Sequence, residues 1–71
     1  MKTYEITIEP IVFTNDFSTI NKTICVKRIK PITIFKEYYD LDIIDIKRIS
    51  KYVYHIKAGY GLFCLTIMEV M

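Results

Sequence analysis

The sequence predicts a small α+β domain: an antiparallel sheet with one helix packed on one face, in the chain order β-β-α-β-β-β. Three observations carry this. "TYEITIE" and "KYVYHIK" alternate apolar and polar residues, the period of a half-buried strand. After Pro31, polar residues recur at helical spacing. The 71 residues make one domain, 1–71, with room for only a thin core.

In the first strand Tyr4, Ile6 and Ile8 point one way and Glu5, Thr7 and Glu9 the other. Pro10 cannot donate to a ladder, so the strand lies at an edge there or bulges, with Ile11 to Phe13 continuing it. "TNDFST", Thr14 to Thr19, gathers turn formers and predicts a hairpin connection. The second strand, "INKTICVKR", puts Ile20, Ile24 and Val26 on one face, and its cations are expected to face Glu5 and Glu9.

A helix is expected over 31–40. Pro31 suits its first turn, where a missing donor costs nothing. Thr33, Lys36, Glu37 and Asp40 form one polar stripe, while Ile32, Phe35, Tyr38, Tyr39 and Leu41 cover the rest. β-Branched isoleucines weaken its propensity, so it needs a sheet beneath it.

Three strands follow: "IIDIKRI", "KYVYHIK" and "GLFCLTIMEV". A helical reading of 42–51 competes for the first, because Ile43, Ile46 and Ile49 are three apart. "AGYG" reads as the hairpin turn before the last strand, with Gly59 and Gly61 supplying positive φ. The last strand is apolar on both sides, with Leu62, Cys64 and Met68 on one and Phe63, Leu65, Ile67 and Met71 on the other. Such a strand is covered by more than its own helix, either by the sheet curling over or by a second subunit. Tyr60, Phe63, Leu65, Ile67 and Met71 are therefore the candidate interface, and a homodimer is expected.

Composition narrows the function. At 52% hydrophobic, the chain still has no uninterrupted apolar run of the ~18 residues that suggest a spanning helix. No cationic N-region with a cleavage site opens it, so a cytoplasmic protein with both cysteines reduced is expected. The net charge of +2 is too small to imply nucleic acid by itself. Fourteen isoleucines and eight lysines stand against one alanine, two glycines and two arginines, a bias toward AT-rich codons. That suits a low-GC bacterium, its phages or its plasmids.

Chemistry-bearing groups are sparse. Asp40, Asp42 and Asp45 form "DLDIID", but a calcium loop also needs a central glycine and a distal glutamate. Neither cysteine has zinc-ligand spacing, and "GYG" lacks the following helix that a phosphate loop needs. His55 alternates with lysines on a polar strand face. A Cys64–His55 nucleophilic pair would require both to share a face, with Cys64 in the driest strand. No catalytic, metal-binding or cofactor-binding residues are assigned.

The leading expectation is a non-enzymatic interaction protein, a phage or mobile-element accessory that binds and inhibits a host protein, a defence protein among the candidates. The alternative is a small nucleic-acid-binding regulator using Lys27, Arg28, Lys51, His55 and Lys57. Alternation counts against it by sending Tyr52 and Tyr54 away from Lys51 and Lys57. A third reading, an RNA-cleaving toxin, would rest on His55 and the tyrosines around it.

Overall fold

The computed structural model describes residues 1–12, 18–59 and 61–70. Strands β1 (Lys2–Val12) and β2 (Ile20–Val26) precede helix α1 (Pro31–Tyr38), and β3 (Ile43–Arg48), β4 (Val53–Ala58) and β5 (Gly61–Val70) follow. The five strands form one antiparallel sheet in the order β2-β1-β5-β4-β3. The last strand thus lies in the middle, between β1 and β4. Both of its edges are therefore paired, and α1 covers the face that carries Phe63, Leu65 and Ile67.

Strand alternation decides which residues meet α1. Tyr4, Ile6 and Ile8 of β1 fall on the same face as Phe63, Leu65 and Ile67 of β5 and Tyr54, Ile56 and Ala58 of β4. Ile34 and Phe35 of α1, with Tyr39 just past its end, close the core over them. Phe35, Tyr39 and Phe63 form an aromatic cluster with centroids 5.1–5.3 Å apart. Each fully buried large side chain contributes about 1.5–3 kcal/mol, so Phe35, Phe63, Ile6, Ile8, Ile56 and Leu65 carry much of the fold.

The helix begins at Pro31, as expected, and its N-cap Lys30 makes no side-chain cap bond. Its ends are held by backbone alone: Ile34 N–H donates to Lys30 O and Tyr39 N–H to Phe35 O, both at 3.0 Å. At eight residues it is about 12 Å long, whereas the ten-residue β5 spans roughly 33 Å. It therefore covers only one end of the sheet. The polar residues Thr33, Lys36 and Glu37 face solvent.

Pro10 satisfies both expectations made for it. It lies beyond the β1–β2 ladder, which ends at Ile8 opposite Ile20, and the β1–β5 register shifts between Pro10 and Val12. Residues 43–48 form a strand rather than a helix, with a register shift that leaves Ile44 exposed. The cations of β2 do not face the glutamates: Lys22 stands opposite Ile6, and Glu5 opposite Thr23. Lys22 shares the face of Ile20 and Ile24, as strand alternation requires, and so stands on the side away from Glu5 and Glu9. The final hairpin joins Ala58 directly opposite Gly61, with Gly59 at φ 57°. Residues 14–17 of the expected first turn, like Phe13, lie outside the described residues. Among the described residues no helix is long and apolar enough to cross a membrane.

Candidate functional site

Of the five residues expected to form an interface, three lie in the core. Phe63, Leu65 and Ile67 are buried beneath α1, so the chain's own helix covers the face assigned to a partner. Tyr60 and Met71 lie outside the described residues. The face left uncovered is the opposite one, where β5 presents Leu62, Cys64, Thr66, Met68 and Val70. The first three are half-buried by their neighbours, while Met68 and Val70 are 54% and 44% exposed.

Register arranges this open face in columns. Along β1 beside the apolar β5 column run Thr3, Glu5, Thr7 and Glu9. Along β4 and β3 on the other side run Val53, His55, Lys57, Lys47 and Asp45. Carboxylates therefore flank the apolar column on one side. The other side carries the cations, with Asp45 directly opposite Lys57.

One row crosses four of the five strands as Glu9, Cys64, His55, Lys47. Cys64 and His55 do share a face and stand opposite each other, the condition their pairing required. The order of charges around them is wrong for nucleophilic catalysis. An activated thiolate is favoured by a cation beside it, and its histidine by an orienting carboxylate. Here the carboxylate neighbours the thiol and the ammonium neighbours the imidazole.

The expected nucleic-acid contacts are also dispersed. Lys27 and Arg28 lie in the bend after β2, and His55 and Lys57 on the open face. Only Lys51 lies in a concavity with aromatic residues. That concavity is a groove of about 480 Å³ at the end of the helix-side face that α1 leaves uncovered. Tyr4, Tyr52 and Tyr54 line it together with Lys2, Arg48 and Lys51. Ile29, Ile67 and Glu69 complete its lining.

The groove is held by a tight turn between β3 and β4. Ile49 and Ser50 N–H both donate to Val53 O, and Ile67 N–H donates to Tyr52 O at 2.8 Å. Arg48 Nε donates to Ser50 O at 3.2 Å. Lys51 Nζ sits 5.3 Å from the Tyr52 ring centroid, and Lys2 Nζ pairs with Glu69 at 3.3 Å. Sequence reasoning missed this grouping because it sought cations on the tyrosines' own strand. Alternation sent Tyr52 and Tyr54 away from both Lys51 and Lys57. Lys57 does face the other way, but Lys51 lies in the bend before β4 and lines the groove with both tyrosines. So does Arg48, which stands opposite Tyr54 on β3.

Comparison with protein-family models, with curated proteins and with solved structures finds no match. Each surface therefore has to be read from its own chemistry.

Proposed function

We propose that the chain is a non-enzymatic protein-interaction module whose open sheet face is its docking surface, occupied first by a second copy of the same chain. The observation that supports this is the three-column pattern of that face. A twofold axis running along β5, between two facing sheets, exchanges the two sides of the strand. The carboxylate column of each copy then lies over the cationic column of the other, and the apolar columns meet. An axis across the strands would instead set like charge over like. The surface is thus self-complementary for one isologous arrangement of sheets stacked about 10 Å apart.

The wider role we propose is that of a cytoplasmic phage or mobile-element accessory that binds and inhibits a host protein. Its support is the AT-rich residue bias together with apolar surface beyond what one small core uses. Sedimentation equilibrium at micromolar concentration tests the first step. The wild type sediments as a dimer and Met68→Lys as a folded monomer. In the monomer the new ammonium pairs with Glu5, directly opposite it, while at the interface it meets its own symmetry mate. A wild-type monomer overturns the dimer. Capture from an AT-rich bacterial host tests the second: a stoichiometric host protein held by the tagged chain supports inhibition, and none removes it.

A further inference from the structure

We propose that the groove at the uncovered end of the helix-side face binds single-stranded nucleic acid. It lies on the opposite side of the sheet from the proposed docking face, so one function does not occlude the other.

Three of the chain's six tyrosines line the groove. Three cations against one carboxylate give it a surplus of two charges, equal to the net charge of the whole chain. Aromatic faces interleaved with cations are what an unpaired strand requires, bases stacking on the rings and phosphates meeting the charges. Tyr52 is 44% exposed, and the Lys51 ammonium beside its ring brings a cation and an aromatic face within one nucleotide of each other.

The layout also distinguishes a strand from a mononucleotide. Lys2 enters from β1 and Arg48 from β3, three inter-strand spacings apart, or roughly 14 Å. Tyrosines of β1 and β4 stand on either side of β5 between these cations. A ligand touching both ends is a chain of alternating bases and phosphates. A duplex offers the charges but keeps its bases stacked on one another. An acidic peptide offers charge with nothing for the rings. The rings and the charges together therefore favour the single strand.

The arrangement is also pre-organised. The turn bonds between Ser50 and Val53, and the bond from Ile67 N–H to Tyr52 O, fix the backbone that carries Lys51 and Tyr52 before any ligand arrives. Less ordering is then left to pay on binding.

Fluorescence anisotropy with labelled oligo(dT) and oligo(U) tests this in the full chain. Binding is expected at low salt, with a log–log salt slope no steeper than about −2, the limit for three phosphate contacts by a single strand. Tyr52→Ala should weaken it at least about fivefold, as loss of one stacked base does, and Tyr52→Phe should restore it. Arg48→Ala with Lys51→Ala should flatten the slope, whereas Lys47→Ala with Lys57→Ala, on the open face, should leave it unchanged. Circular dichroism confirms that each variant is folded. The proposal is overturned by no binding of either oligomer at low salt, or by tighter binding of the matching duplex. Equal displacement by polyglutamate, or equal loss in the open-face variant, overturns it as well.

Discussion

Phe35 of α1 meets Phe63 of β5 edge to face, with ring centroids 5.1 Å apart and planes inclined at 69°. Both are fully buried, and through them the only described helix is fastened to the central strand. Phe35→Ala should cost about 3–5 kcal/mol, the lost burial plus the cavity left behind. A chain of this length has roughly 4–11 kcal/mol in total, so the variant is expected to be extensively destabilised in urea titrations. Ile32→Ala, on the same helix but at a 48% exposed position, should cost under about 1 kcal/mol. Equal losses at the two sites would mean that α1 does not bind the sheet through Phe35.

Tyr39 couples the same core to alkaline pH. Its hydroxyl donates to the Ser18 carbonyl, and burial pushes the phenol above its ordinary value of 10.0. The folded chain keeps this proton to higher pH than the unfolded chain does. Its contribution is therefore complete below about pH 10 and is lost as pH rises through the raised folded value. Tyr39→Phe has no proton to lose. Thermal melts across this range should show the wild type falling more steeply than Tyr39→Phe above pH 10. At neutral pH the variant should be less stable by about 0.5–1.5 kcal/mol, through loss of the Ser18 bond. Parallel profiles would rule out the coupling.

Gly59 isolates backbone conformation from packing. A Cβ built there would lie 3.5 Å from Leu41 Cδ2, an ordinary contact, so space is available. The cost of a side chain comes instead from φ 57°, in the left-handed region. Gly59→Ala should destabilise by about 1–2 kcal/mol, and Gly59→Asn by less, because asparagine tolerates that region. Denaturant midpoints should rank glycine, asparagine, alanine. Asparagine and alanine at equal cost would point to the contact with Leu41 rather than to the backbone.

Local periodicity made the elements readable: alternation in "TYEITIE", a proline at the helix start and an apolar run at the end became the structures they predicted, and "KYVYHIK" did so from Val53 onward. Strand order was not readable, because the pairing of β1 with β5 joins the two ends of the chain and leaves no local signal. Both departures at the candidate sites have tertiary causes. The dryness of one face of β5 reflects the helix α1 packed over it, so Phe63, Leu65 and Ile67 belong to the core, and the apolar column left over is the opposite one. Of the groove's three cations, Arg48 and Lys51 come from the β3–β4 hairpin that carries Tyr52 and Tyr54. Only Lys2 is distant in sequence, brought there by the β1–β5 register. Alternation could show which way Tyr52 and Tyr54 point, but not what else points there.

The two thiols provide an independent probe of the open face. Cys25 stands opposite Thr3 on β2 and Cys64 opposite Glu9 on β5, two strands apart and six residues along. That is about 10 Å sideways and 20 Å lengthwise, far beyond the 7 Å limit for a disulfide between Cα atoms. Both are free, Cys25 exposed at an edge strand and Cys64 half-buried at the centre of the face. Reaction with an aromatic disulfide reagent, followed separately in Cys25→Ser and Cys64→Ser, should therefore diverge with concentration. Cys64 should react more slowly as the chain self-associates, because the apolar columns close over it, while the rate at Cys25 holds. In Met68→Lys the protection of Cys64 should disappear. A Cys64 rate that is the same in dilute and concentrated protein would show that the second copy, if there is one, docks elsewhere.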